Sequence, residues 1–177
     1  MIIWLTGLSG AGKSTISNEL YKNLKPSMSS LVLIDGDVVR ELFGNDLGYD
    51  IDSRKLQIIR IQKLTRFLSQ QGIPVIVSAL YSDPELFAWN RLNLKEYYEI
   101  YVDAPIDVVI QRDVKGIYQR AKAGELLNIV GVDIPWNCPQ SPDLILETNK
   151  LSLEESIQLI FDSLPMLGTY GVKNNTR

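Results

Sequence analysis

Apolar residues in this chain come in short runs, and the spacing between runs is different. "IIWLT" (2–6), "LVLI" (31–34), "PVIVSAL" (74–80), "YYEIYV" (97–102) and "DLILE" (143–147) read as strands, most of them apolar enough to be buried on both faces. Ile16, Leu20 and Leu24 recur at a helical interval over 13–25, and Pro26 ends that segment. Residues 52–71 predict a long helix with Leu56, Ile59, Lys63, Leu64, Phe67 and Leu68 near one face, closed by Gly72. "IDVVIQR" predicts another helix. "SLEESIQLIFDSL" (152–164) predicts the last, with Ser152 as N-cap and Glu155 completing a capping box. Strand–helix alternation predicts an α/β fold: a central parallel five-stranded sheet with helices on both faces. Ligands of such sheets bind at the carboxyl ends of the strands.

Residues 111–142 break the rhythm with "RDVKGIYQRAKAGE" and then the Gly/Pro-rich "VGVDIPWNCPQSP", which predicts a mobile lid rather than core. There is no repeat and no second domain. Residues 1–170 read as a single domain and 171–177 as a frayed tail.

At 177 residues the chain suits one domain with a sizeable core. A net charge of −3 argues against a nucleic-acid-binding protein, which needs a basic face. The lone Cys138, the lack of a signal peptide and the lack of a run near the roughly 18 apolar residues of a membrane span point to a cytoplasmic protein. The chain has no histidine, which excludes Ser–His triads, His-ligated zinc and His phosphorelays. Carboxylates, a lysine or a bound metal are left to do the chemistry.

"GLSGAGKS", Gly7 to Ser14, fits G-x-x-x-x-G-K-[ST] and lies between a strand and a helix, as a phosphate-binding P-loop does. Backbone amides of Gly7, Ser9, Gly10, Ala11, Gly12, Lys13, Ser14 and Thr15 and the start of the helix would cradle the phosphates of ATP. Lys13 would reach the outer phosphates and Ser14 would offer a hydroxyl to Mg²⁺. A guanine-reading N-K-x-D is absent, since "NKLS" (149–152) lacks the aspartate. A small-molecule kinase is favoured over a switch, with an inactive ATP-binding partner protein as the alternative class.

The second strand ends in Asp35-Gly36-Asp37, with Arg40 three residues on. Two carboxylates this close repel unless a cation or proton sits between them. Asp35 can support hydrated Mg²⁺ beside Ser14. Asp37 can align and deprotonate an acceptor hydroxyl, cap the helix that starts there, or both, and Arg40 can clamp an anion.

Together, "IWLTGLSGAGKST", "IDGDVVRELF", "NDLGY", "VDAP", "RDVKGIYQRAKAGE" and "VGVDIPWN" resemble the adenylylsulfate kinases over almost the whole chain. The resemblance implies a P-loop kinase that transfers the γ-phosphate of ATP, with Mg²⁺, to the 3′-hydroxyl of a nucleotide bearing a 5′-phosphosulfate, and it implies a homodimer. Carried over residue by residue, it makes Lys13 and Asp37 catalytic and puts Arg112 beside the ATP adenine. Arg40, Tyr49, Arg54, Gln57, Lys115 and Ile129 fall on the acceptor side, with Lys115 near the phosphates. Departures cluster there too. Val38 replaces an asparagine, Ile129 a base-stacking phenylalanine, "SALYSDPEL" (78–86) a segment with an arginine, and Trp136-Asn137 a Tyr-Glu pair. Trp136 is a second candidate for the missing aromatic wall. A cytidine 5′-diphospho acceptor such as cytidine diphosphoramidate is the alternative substrate. The phosphate-carrying serine of some relatives aligns ambiguously with Tyr81 or Ser82.

Overall fold

In a computed structural model, which describes residues 1–80, 83–164 and 167, five strands run parallel: β1 (Ile2–Thr6), β2 (Val32–Asp35), β3 (Val75–Ser78), β4 (Tyr97–Asp103) and β5 (Leu144–Glu147). Their order in the sheet is β2-β3-β1-β4-β5. All four pairings are parallel, as expected of strands joined through helices. The helices among the described residues are α1 (Lys13–Leu24), α2 (Gly36–Leu42), α3 (Ile51–Gln70), α4 (Pro84–Asn93), α5 (Ile106–Arg112), α6 (Ile117–Lys122) and α7 (Leu153–Ser163). Every strand and helix expected from the apolar pattern is present to within about two residues. The tail at 171–177 lies outside the described residues, as do Tyr81 and Ser82.

Strand alternation sorts the core into two layers. Ile3, Leu5 and Ile76 pack with Ile16 and Leu20 of α1 and with Ile157 and Ile160 of α7. Ile2, Trp4, Val75 and Val77 pack on the other face with Ile58 and Ile61 of α3.

Three expectations need correction. The buried residues of α3 are Gln57, Ile58, Ile61, Gln62 and Thr65, whereas Leu56 and Phe67 are exposed. Apolar spacing alone chooses the wrong stripe, because the true one carries glutamines that are satisfied inside: Gln57 donates to Gly36 O (3.1 Å) and Gln62 to Asn90 Oδ1 (2.9 Å). Second, residues 111–142 are not all outside the core. Tyr118, Ile129, Val130 and Ile134 are buried in the α1-side cluster, and α6 lies within the segment. Third, α4 occupies a stretch for which the apolar pattern predicts no element. Its signal is local chemistry: Asp83 caps it, accepting from Glu85 N at 3.0 Å, and Pro84 opens it.

Candidate active site

The chain leaves β1 through Gly7, where a Cβ would stand 2.2 Å from the carbonyl oxygen of Val102 on β4. No larger residue passes there. Gly12 then takes a left-handed φ of 103° and serves as the N-cap of α1, with no side-chain cap and no carboxylate in the first turn. The first amides of α1, including those of Lys13, Ser14 and Thr15, are thereby left to an anion.

The loop itself is tied down by its carbonyls. Leu8 O accepts from Lys13 Nζ (2.7 Å), Ser9 O from the Tyr118 hydroxyl (3.0 Å), Gly10 O from Arg112 Nη1 (3.4 Å) and Ala11 O from Thr148 Oγ1 (2.9 Å). With these carbonyls engaged, amides are what the loop has left to offer a ligand, except that of Ala11, which donates to Leu8 O at 3.2 Å and so does not join the cradle as expected. Arg112 also donates to Thr148 O at 2.7 Å, so the expected adenine-side arginine stands against the loop's flank. Tyr118 and Thr148 are missed by sequence reasoning. Thr148 carries a weak signal, since it directly follows a strand end, where ligands of this fold bind.

Lys13 is 9% exposed. Burial, then the nearby Lys115 ammonium, lowers its pKa from 10.5 to about 8, against the pull of Asp35 and Asp37. Ser14 Oγ donates to Asp35 Oδ2 at 2.9 Å, and Asp35 Oδ1 accepts from Asp37 N at 2.9 Å. Asp35, not Asp37, therefore caps α2. The capping role allowed for Asp37 is corrected: its carboxylate pairs instead with Lys115. A hydroxyl and a carboxylate side by side are hard oxygen donors. They fit Mg²⁺, which takes one or two protein ligands and completes its shell with phosphates and water.

Among the residues expected on the acceptor side, Arg40 is 7% exposed, and its Nη1 donates to Leu47 O and Gly48 O, both at 3.0 Å. Its guanidinium lies 4.5 Å from the centre of the Tyr49 ring. Arg54 donates to Tyr49 O and Asn128 O, both at 2.7 Å, and so joins the start of α3 to the 126–134 segment.

These groups face one another. Ser9, Lys13, Ser14, Asp35, Asp37, Arg40, Tyr49, Arg54, Gln57, Lys115 and Ile129 all line one cleft of about 530 Å³ at the carboxyl edge of the sheet. Trp136 does not. Its ring stacks obliquely on Tyr101 at 6.1 Å and lines a separate hollow of about 430 Å³, so it does not supply the cleft with the second aromatic wall expected of it.

Comparison with known proteins agrees with this geometry. The family model for adenylylsulphate kinase matches residues 1–147. A cytidine diphosphoramidate kinase of Campylobacter jejuni is 41% identical over 93% of this chain and 96% of its own length. An adenylyl-sulfate kinase of a Picosynechococcus species is 40% identical over 94% of both chains. The solved structure of the Mycobacterium tuberculosis APS kinase CysC with AMPPNP and APS superposes with a TM-score of 0.85 at 32% identity, over 93% of this chain and 96% of that one. With a P-loop, a DGD strand end and a near-complete superposition in agreement, the chain is a kinase and belongs to the adenylylsulphate kinase family.

Proposed function

We propose that this kinase transfers the γ-phosphate of ATP to the 3′-hydroxyl of a nucleotide with a modified 5′ group, with adenylylsulfate as the acceptor. The observation that carries this reading is the single cleft shared by Lys13, the Ser14–Asp35 pair, Asp37 and the buried Arg40 guanidinium. The P-loop amides hold the β- and γ-phosphates. Lys13 neutralises charge that grows on the transferred group. Ser14 and Asp35 would hold Mg²⁺, which when bound offsets phosphate charge. Asp37 accepts a hydrogen bond from the 3′-hydroxyl and takes its proton. Lys115 exchanges Asp37 for a phosphate oxygen when ATP arrives. Arg40, with Arg54 beyond it, binds the 5′ anionic group. Arg112 flanks the adenine of ATP. Tyr49 and Ile129 bracket the acceptor base, and Gln57 holds the α2 entry through Gly36 O.

A second acceptor, a cytidine 5′-diphospho compound, is favoured by one observation: the cleft that Tyr49 lines has the aliphatic Ile129 where the resemblance implies a second base-stacking aromatic. The Campylobacter relative is named for such a substrate. ATP consumption with adenylylsulfate and with cytidine 5′-diphosphoramidate, each at matched concentrations, tests both. Turnover with neither would overturn the reading. A homodimer in the cytoplasm belongs to the same reading, and light scattering checks the dimer. No helix among the described residues is long and apolar enough to cross a membrane.

A further inference from the structure

β3 ends between the two strands that carry the phosphate and carboxylate chemistry. In register, Ser78 stands beside Leu5 of β1 on one side and Asp35 of β2 on the other. Side chains of paired residues in neighbouring strands point to the same face, and adjacent strands lie about 4.8 Å apart. Leu5 and Ile76 pack on the α1 face, and Ser78, two residues after Ile76, shares that face. Asp35 does too, because Ser14 of α1 bonds to it. The Ser78 hydroxyl is thus a strand spacing from the Asp35 carboxylate, under the start of α1.

That hydroxyl is an anomaly. Ser78 is 3% exposed, and its Oγ has no hydrogen-bond partner among the described residues. A buried hydroxyl left unpaired destabilises a protein, and such groups call for an explanation in terms of a ligand, water or ion. Thr6 and Thr65 also have unpaired hydroxyls, but only Ser78 of the three lines the cleft with Lys13, Ser14 and Asp35. A serine hydroxyl turns about a single bond and has two lone pairs to offer.

We propose that Ser78 is a positioning residue for the metal, its Oγ turning to accept a hydrogen bond from a metal-bound water on the shelf formed by Ser14 and Asp35. The proposal rests on the kinase reading above, in which Ser14 and Asp35 hold a divalent cation. Metal-bound water is a strong donor, and Ser78 supplies an acceptor with no competing partner among the described residues. The ligand-free protein carries the cost of the idle hydroxyl, and metal binding relieves it.

The test uses Mn²⁺, which takes the same oxygen ligands as Mg²⁺ and is visible by electron paramagnetic resonance. Mn²⁺ affinity is measured in the presence of saturating ADP for wild type, Ser78→Ala and Ser78→Cys. ADP affinity is measured separately in excess chelator. Both variants are expected to weaken Mn²⁺ by about threefold to tenfold, the worth of one net hydrogen bond. Metal-free ADP affinity should not move, because the phosphates are held by loop amides that Ser78 does not touch. The thermal midpoint of ligand-free Ser78→Ala should equal or exceed that of wild type, since no satisfied bond is lost. A structural role would shift ADP binding and stability together. Unchanged Mn²⁺ affinity in both variants overturns the role of Ser78 alone. Failure of wild type to bind Mn²⁺ with ADP overturns the metal shelf and the role of Ser78 with it, whereas absence of turnover with both acceptors is what overturns the proposed function.

Discussion

A buried lysine costs the folded chain free energy as long as it carries charge. For Lys13, whose pKa falls to about 8, the sign of the pH dependence follows. Between about pH 8 and 10.5 the unfolded chain keeps a proton that the folded chain has released. Stability therefore rises with pH across that window, by about 3 kcal/mol in full. Lys13→Met should lose this rise, and urea midpoints at pH 7.5 and 9.5 for both proteins will show it. Parallel pH dependence in the two would remove Lys13 as the cause. In the reaction, Lys13→Ala should lower turnover by about 10²–10³-fold with the fold intact, as loss of one electrostatic contact to the transferred group does. Asp37→Asn keeps the shape but loses the proton acceptor. Turnover should drop by about 10²-fold or more while ATP affinity, measured by titration, stays level. Arg40→Ala has two effects because Arg40 has two jobs. It should raise the acceptor KM, and it should loosen the 47–49 loop whose carbonyls it holds. Steady-state kinetics and a thermal melt separate them.

Among the elements, α7 is the most legible. Ser152 and Glu155 form both halves of a capping box, as their spacing predicts, and Ile157, Ile160 and Phe161 form the buried stripe. Ser152→Ala should cost about 1 kcal/mol and lower the melting temperature by about 2–4 °C, read by calorimetry. No change in melting temperature would mean that water replaces the cap fully. α2 is less legible. Two aspartates flank its start, and either one has the chemistry of a cap. The tie is broken by Ser14 and Lys115, which come from elsewhere in the chain and orient Asp35 toward the amide and Asp37 toward the lid. On α3 the apolar count favours a face that the fold leaves in solvent, since the partners of Gln57 and Gln62 lie on α2 and α4.

At the scale of the whole molecule, the 111–142 segment is stitched to the core. Ile129 is 6% exposed in the core and also lines the cleft with Lys13, Ser14 and Asp35, so under the proposed function one side chain serves packing and specificity together. Ile129→Phe adds volume to a close-packed site, which costs about 1–3 kcal/mol. It also adds a second aromatic side chain to the cleft that Tyr49 lines. A base–aromatic stack contributes about 1–3 kcal/mol. The ratio of kcat/KM for adenylylsulfate to that for a cytidine 5′-diphospho acceptor should therefore rise, by about tenfold, even as the melting temperature falls. If the ratio stays put while the protein remains folded, Ile129 does not meet the base.

Strand number, the P-loop and the capping box follow from the sequence alone, because each is set by residues within a few positions of one another, and parallel direction follows from the alternation of strands with helices. Gly7, Gly12, Lys13 and Ser14 are readable as a motif before any coordinate is known, although the approach of Val102 O that bars a side chain at Gly7 is not. The tertiary structure alone decides which aspartate caps, which stripe of α3 is buried, that Trp136 pairs with Tyr101 away from the Lys13–Asp37 cleft, that Tyr118 and Thr148 hold the loop, and that Ser78 lines the cleft beside Asp35. Tyr118 and Thr148 reach Ser9 and Ala11 across 109 and 137 residues of chain. Contacts of that span leave no period in the sequence, and a hydroxyl's neighbours are known only once the strands have been laid side by side.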